Sequence, residues 1–472
     1  MNHPAALSRR TERDPVRHIA DLVSGGLELE AESELISLAE SRTLDAATRC
    51  QLARLSLQIE KPHLARGILE AALKSAPRST DVRFLCGLAE KALGHLHESL
   101  EHFALAAPET NPDAAYYVSI VHEELGHLEK ARQAIEWALA IAPEDADYLN
   151  QSACVLAHLG KHEQALAASD AALSMEPQSA GLALNHAHNL LLHGRYAEAW
   201  PLYEARLAFT PDHLPPRNGS APWEGQSLEG KSLLVWHEQG LGDTIHFARF
   251  VLPLLNIASR VILRTPTTLQ RLLASALPGI TVVAEDAPLP GTDFHAPLLS
   301  LPGIAGFDGS VWPVPLLSMT PSLPQSGLLP RRIGFVCGGN PLHPDDVRRS
   351  VPLAQFLPLL DARQEWVCLQ KRKPLSRAWP DFVQYPTLHF ANFYDTATAV
   401  RSLDLVISAD TAVAHLSASC GIPTWVLLPH TPDWRWGLGR ETTPWYPAAR
   451  LFRQPSPGDW RAVIQAVQKA LL

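Results

Sequence analysis

Apolar and polar positions along this 472-residue chain fall into two textures that meet near residue 212. Before that point one helical motif recurs. Gly126-His-Leu-Glu-Lys-Ala131, Gly160-Lys-His-Glu-Gln-Ala165 and Gly194-Arg-Tyr-Ala-Glu-Ala199 follow one another at a spacing of 34. Pro143, Pro177 and Pro211 stand 17 residues after the three glycines. Gly94 opens a shorter copy that ends at Pro108, and an earlier copy, from Ala65 through Ala72 to Pro77, has no glycine. A small residue precedes each glycine by seven positions: Gly87, Ser119, Ala153 and Ala187. The pattern predicts helix hairpins. The glycine turns the chain, the small residue lets two helices approach, and the proline ends the second helix. Each hairpin leaves an apolar face that only the next can bury, so the hairpins stack. Residues 27–40 are helical in pattern but stand outside the repeat.

From residue 231 the texture becomes short apolar runs alternating with helical stretches. Strands are expected at 233–236, 260–264 and 280–283, with helices at 245–255 and 267–277. Proline-rich connectors over 286–330, with Pro288, Pro290, Pro313 and Pro315, close this series. A second series puts strands at 332–337, 366–369, 405–408 and 424–428, a helix at 412–419, and an amphipathic helix at 459–472. That last helix buries Trp460, Val463, Ile464 and Val467. Strand–helix alternation of this kind predicts a doubly wound α/β fold. Between the textures, 212–230 is dense in turn formers, among them Pro215, Pro216, Gly219, Pro222, Gly225 and Gly230. Its Trp223 is expected to pack this linker onto one of the domains. The resulting division is 1–44, a helical cap that is partly disordered; 45–211, the repeat array; 212–230, the linker; 231–325, the first α/β half; and 326–472, the second.

Candidate chemistry gathers where strands end. His237-Glu-Gln239-Gly240-Leu241-Gly242-Asp243-Thr-Ile-His246 carries a strand into a glycine turn and then a helix, where backbone N–H groups face a ligand. Asp243 at the helix start either caps the helix or faces the cleft as a base. In the second half Gly338-Gly339-Asn340-Pro341 forms a backbone-exposing loop, followed by Arg348 and Arg349. Asp410-Thr411 opens a helix, with His415 one turn in, and offers N–H groups and a hydroxyl to an anion such as a phosphate. Asp410 as a plain helix cap is the alternative reading. Arg348 or Arg349 adds a cation to that anion site. Trp434-Arg435-Trp436 reads either as a packed loop with a stacked guanidinium or as a shelf for a base. No metal site is expected. Asp145-Ala-Asp147 marks a helix start, and His127 and His162 sit at turns.

Charge divides as the texture does. Residues 1–230 carry 19 Lys and Arg against 32 Asp and Glu, and residues 231–472 carry 21 against 17. An acidic front half is unsuited to nucleic acid, whereas a mildly basic rear half suits a small anionic ligand. The six cysteines are scattered without a C-x-x-C pair, which fits a reducing cytoplasm. No run of 18 uncharged apolar residues exists, so no membrane span is expected. The polar, arginine-rich first 15 residues do not read as a secretory signal.

The 34-residue glycine–alanine–proline pattern resembles tetratricopeptide (TPR) repeats, in roughly four to five copies over 45–211. The α/β region resembles the heptosyltransferase-type glycosyltransferases through Leu241-Gly242-Asp243-Thr-Ile-His246 and Asp410-Thr411-Ala-Val-Ala-His415. Behind a TPR array it is also similar to bacterial TPR–glycosyltransferases, including those that modify flagellin. The resemblance implies a multidomain fold: an all-α TPR solenoid followed by a GT-B glycosyltransferase of two Rossmann-like halves. It implies Asp243 as catalytic base, with Gln239, Gly240, Gly242 and His246 on the acceptor-side loop. It implies Thr411, Ala412 and the amides that follow as the donor-phosphate site, flanked by Asp410 and His415. Arg349 stands where the family has a phosphate-binding lysine, Gln370 where it has a donor-contacting acid, and Ala412 where it usually has glycine. A nucleotide-activated sugar is the implied co-substrate, with no resident cofactor and inversion at C1.

These readings converge on a cytoplasmic glycosyltransferase that holds a protein acceptor in the TPR groove. Two rivals stand beside it: a scaffold whose glycosyltransferase fold no longer turns over, and an enzyme acting on lipopolysaccharide. A dinucleotide oxidoreductase is disfavoured because the turn after the strand lacks the third glycine of G-x-G-x-x-G. The sugar, the nucleotide and the acceptor are left open.

Overall fold

The computed structural model describes residues 14–41, 43–209, 219–310, 331–343, 345–371 and 380–472, apart from the Leu388 side chain. The readings at residues 1–13, Pro211, Pro215, Pro216, Pro313, Pro315 and the 325/326 boundary lie outside the described residues. The chain divides into two compact units, Met1–Met175 and Glu176–Leu472. Among the described residues no helix is long and apolar enough to cross a membrane.

The first unit is all helical. Its hairpins are α1 (Pro15–Ser24) with α2 (Glu28–Ala39), α3 (Ala46–Gln58) with α4 (Pro62–Ser75), and α5 (Thr80–Ala92) with α6 (Leu96–Ala104). They continue with α7 (Pro112–Glu124) and α8 (Leu128–Ile141), then α9 (Ala146–His158) and α10 (His162–Met175). The leading helices of successive hairpins start on polar caps: Asp45 accepts from the Thr48 N–H, Ser79 from Val82, Asn111 from Ala114 and Asp145 from Tyr148. Gly94, Gly126 and Gly160 make the turns at φ of 79°, 75° and 75°. In the copy without a glycine, Glu60 takes the same left-handed conformation at φ 55°. At Gly87 a Cβ would stand 2.5 Å from Phe103 Cε1, and the Ser99 hydroxyl donates to the Gly87 carbonyl at 2.8 Å. Ser119 and Ala153 fill the matching positions and are buried. Hairpins pack on their neighbours through α4 with α5, α6 with α7 and α8 with α9. The pair α1–α2 extends this architecture into the segment where the sequence shows no repeat.

The second unit begins with a further hairpin, α11 (Ala180–Leu192) and α12 (Tyr196–Tyr203), and a 3-10 turn, Glu204–Phe209. The division between units therefore falls inside the helical array rather than at the 212–230 linker. The reason lies in three contacts. The Trp200 indole donates to the Phe307 carbonyl at 2.8 Å. A Cβ on Gly303 would meet Trp200 Cβ at 3.0 Å. Arg206 is buried on Glu238. Such anchoring needs residues far apart in the chain, so the linker's composition did not reveal it.

Two five-stranded parallel sheets follow. The first orders β1 (Ala221–Pro222), β5 (Phe294–Pro297), β2 (Ser232–Trp236), β3 (Arg260–Thr265) and β4 (Thr281–Ala284). The second orders β10 (Ala449–Arg453), β9 (Thr424–Leu428), β8 (Leu405–Ala409), β6 (Arg332–Val336) and β7 (Glu365–Cys368). Strands β2, β6, β8 and β9 are almost wholly buried, as parallel strands covered on both faces must be. The linker supplies β1, which pairs with β5, and buried Trp223 donates its N–H to the His295 carbonyl at 2.8 Å. The helix expected at 245–255 instead starts at Leu241 and ends at Phe247, then breaks into 3-10 turns around Pro253. Proline lacks the N–H that a continuing helix requires. Strands β1, β5 and β10 were not expected; β1 lies in the linker, β5 ends on Pro297, and β10 carries arginines at positions 450 and 453. The C-terminal helix, Trp460–Leu471, buries Trp460, Val463, Ile464 and Val467 against Ile333, Phe335 and Trp366.

Candidate ligand cavity

Parallel sheets bind ligands beyond the carboxyl ends of their strands, where the strand order reverses. In the first sheet that point lies between β2 and β5, and it is filled from within. Glu238, just past β2, is fully buried; it accepts the Leu299 N–H at 3.1 Å and the Arg206 guanidinium at 2.8 and 2.9 Å. Arg206 also donates to the Ser300 hydroxyl at 2.8 Å. In the second sheet the reversal lies between β6 and β8, and there the crevice is open. It forms a cavity of about 740 Å³ lined by the loops after β2, β6, β7, β8 and β9, and by His188 of α11 and Tyr203 of α12.

Asp243 reaches this cavity from the third residue of its helix. Its Oδ2 accepts the Gly240 N–H at 3.0 Å, and its Oδ1 meets Arg435 Nη2 at 2.6 Å. Both alternatives drawn from the sequence thus meet in one residue: Asp243 caps its helix and also lines the cavity. The preceding Gln239 holds a left-handed φ of 59°, and its side-chain amide points to the Tyr203 hydroxyl at 3.5 Å. A non-glycine residue there is costly, and such strain gathers at functional sites. Arg435 is buried, paired with Asp433 at 2.9 Å, and stacked over Trp434 at 4.3 Å. Burial opposes its charge, but the carboxylates of Asp433 and Asp243 outweigh it and hold the guanidinium above its ordinary value. The Trp434–Trp436 stretch is therefore the packed loop with a stacked guanidinium, and Trp434 lines the cavity as well.

Two helix starts converge here, Leu241–Phe247 from the first half and Ala412–Ser419 from the second. A Cβ on Gly242 would stand 3.1 Å from His415 Cδ2 and 3.4 Å from Ala412 Cα, so a larger residue would push the two helix starts apart. Thr411 caps the second helix from an extended conformation, and its hydroxyl lies 3.1 Å from that of Ser408. Thr411, Ala412 and Val413 line the cavity, with the first-turn N–H groups that a helix cannot satisfy internally. Asp410 is buried beside them. Burial, reinforced by the charge of Asp433, pushes its carboxyl up to about 7. His415, 3.9 Å from Asp410, is pushed down to about 3 by burial and then by Arg435, so its imidazole is neutral.

His246 does not reach the cavity, contrary to the acceptor-side role that the resemblance implied. It is fully buried behind the turn, against Trp445 with ring centroids 4.6 Å apart. The reason is depth: about one turn further along the helix than Asp243, its ring lies in the seam between the two helices, 5.4 Å from the His415 ring. Its Nδ1 shares the Tyr446 hydroxyl, at 2.8 Å, with His415 Nδ1 at 2.9 Å. One hydroxyl proton serves only one of these nitrogens, so the other imidazole donates its own Nδ1–H.

On the far wall, the loop after β6 is less open than its glycines imply. The Cys337 N–H is taken by Gln370 Oε1 at 3.1 Å and the Gly339 N–H by the Ser350 hydroxyl at 3.0 Å. Gln370 thereby fixes the loop. Arg349 lies flat against Gly339, where a Cβ would stand 2.7 Å from its Nη2, and lines the cavity. Arg348 is outside it and pairs with Asp345. Of the sequence-based site residues, the structure brings Asp243, Gln239, Gly240, Gly242, Asp410, Thr411, Ala412, His415, Arg349 and Gln370 to one cavity. It adds His188, Tyr203 and Asp433. The first two sit in the helical array, where nothing in the repeat pattern distinguishes them.

The Tetratricopeptide repeat family model matches residues 146–179, and the chain contains TPR repeats. Protein FlbA of Caulobacter vibrioides is 26% identical over 328 residues, which cover 58% of this chain and 52% of that protein. The chain thus spans about half the length of this curated relative. Among solved structures, pilF of Pseudomonas aeruginosa is 16% identical with a TM-score of 0.36, covering 42% of this chain and 91% of its own. A thermophilic TPR protein of Thermus thermophilus is 21% identical with a TM-score of 0.33, covering 38% and 98%. In architecture the chain is an N-terminal helical TPR array joined to a C-terminal region of two parallel sheets.

Proposed function

We propose that this chain is a glycosyltransferase of the GT-B type, moving a sugar from a nucleotide-activated donor to a protein acceptor recruited by the TPR array. The observation that carries the reading is the contrast between the crevices. The first sheet's is plugged by Glu238 and Arg206, while the second sheet's is open and faced by a helix start, Thr411 and Arg349. Helix N-terminal amides and an arginine suit the diphosphate that leaves as the sugar is transferred. The cavity's volume lies within the roughly 300–1,000 Å³ of small-molecule sites. In this reading Asp410, Thr411, Ala412, His415, Arg349 and Gln370 surround the donor, and Asp243 with Gln239 and Gly240 faces the acceptor. The alternative, a TPR scaffold with an idle cavity, draws on one observation: both oxygens of Asp243 are already engaged.

Thermal unfolding with a panel of nucleotide sugars tests the reading, because a ligand that binds only the folded state raises the melting temperature. Wild type is expected to be stabilised by at least one donor, and Thr411→Glu, which sets a negative charge at the helix start, to lose that shift. A panel with no stabilising nucleotide, or a shift that survives in Thr411→Glu, refutes the donor site.

A further inference from the structure

The ionisable groups of the cavity are unequally occupied. Asp243 is held by Gly240 and Arg435, Asp433 by Arg435, and Asp410 and His415 face one another. His343 Nδ1 accepts the Asp345 N–H at 3.1 Å. His188 differs. Its ring is open to the cavity and packs edge-on against Tyr203, with centroids 5.7 Å apart. Among the described residues neither of its ring nitrogens has a hydrogen-bond partner.

We infer that His188, supplied by the last TPR hairpin, is the group that takes the proton from the acceptor hydroxyl. The inference rests on the sugar-transfer reading above. Both oxygens of Asp243 are engaged where it stands, Oδ2 by the Gly240 N–H and Oδ1 by a 2.6 Å pair with Arg435, so neither is presented free to an acceptor hydroxyl. Its place in this scheme is to hold Arg435 and the Gly240 turn. His188 starts neutral, as a base must. Burial lowers its proton affinity most, the charge of Asp433 opposes that, Arg435 adds to it, and Asp345 opposes it weakly. The other charged groups near α11, Arg206 and Glu204, are paired to one another, and Arg206 also to Glu238. The hairpin is rigidly placed: α11 packs on the Trp434–Trp436 turn, and α12 is fixed by Trp200 on Phe307.

The step balances as follows. The acceptor O–H proton passes to a ring nitrogen of His188, and the oxygen forms its bond to sugar C1. The bond from C1 to the donor phosphate oxygen breaks, its electron pair leaving on the nucleoside diphosphate. Placing the base on a repeat hairpin means that the kind of element gathering the acceptor also activates it. A protein serine or threonine hydroxyl entering the cavity would meet His188 and Tyr203 at its wall.

The test uses the full chain and release of nucleoside diphosphate from the donor that stabilises wild type, with water as the acceptor. His188→Gln is expected to keep the donor's thermal shift while release falls about 100-fold or more, the lower end of general-base effects. His188→Ala is expected to regain part of its rate from added imidazole. The acidic limb of the wild-type rate, lying below the ordinary histidine range, should vanish in His188→Gln. Wild-type rates in His188→Gln overturn the assignment, as does loss of the donor's thermal shift, which would make His188 a donor ligand. Donor binding without nucleotide release by wild type refutes the transfer reading, and the assignment falls with it.

Discussion

Asp410 and His415 stand 3.9 Å apart, yet they do not form an ion pair at neutral pH, because burial opposes charge on each. The consequence for stability has a sign. A carboxyl raised from 3.8 to about 7 on folding binds its proton more tightly in the folded state, so its contribution falls as pH rises between those values. His415, lowered to about 3, acts oppositely: the unfolded chain takes up its proton first, so stability is lost as pH falls below about 6.5. Asp410→Asn removes only the first slope. The stability gap between this variant and wild type is expected to open from about pH 4 to pH 7, as wild type loses stability, and then level off, reaching on the order of 4 kcal/mol. Melting curves across that range check it; a gap independent of pH would show that Asp410 is ionised throughout. Asp410 does not cap the helix that follows, since Thr411 holds the cap position and a capping carboxylate would be held low by its amides.

At the scale of elements, the TPR hairpin is set by a few positions that do different work. Gly87 is there for space, not for backbone freedom, because Phe103 occupies the volume of its missing Cβ. Gly87→Ala is expected to destabilise by about 1–3 kcal/mol through overpacking, measured as a lower urea midpoint, although alanine is the better helix former. No loss would mean that Phe103 rotates away at little cost. The glycines at 94, 126 and 160 are there for their positive φ, and Glu60 shows that the turn forms without one. The two converging helix starts follow similar logic, for Gly242 lets one approach the other closely enough to share a cavity.

At the scale of the whole molecule, the structure joins the last TPR hairpin to the first sheet through a buried ion pair. Arg206 and Glu238 are 1% and 0% exposed. Removing one partner leaves the other charged and desolvated, which costs about 3–5 kcal/mol, whereas replacing both costs far less. Arg206→Met is expected to lose that much in chemical denaturation of the full chain, and adding Glu238→Gln to recover most of it. Equal losses in the single and double variants would show that packing around Arg206, not its charge, holds the hairpin. A segment cut at residue 231 would lack Arg206 and His188 together, so the last repeat contributes to this unit's fold.

The sequence by itself determined the repeat architecture, since a 34-residue period of glycine, small residue and proline can be met only by stacked hairpins. It also determined the parallel strands β2, β6, β8 and β9, whose apolar runs leave no other partner, and the strand-end positions of Asp243, Asp410 and Thr411. Tertiary structure alone decided the rest. Whether Asp243 caps, pairs or abstracts depends on Arg435, 192 positions away. His246 lies in a seam rather than the cavity because, one turn deeper than Asp243, it is covered by Trp445 and Tyr446, which only the fold brings there. His188 and Tyr203 gain their place only because α11 and α12 fold onto the sheets. A periodic pattern reports the contacts that every repeat makes, and it is silent about those made by the last repeat alone.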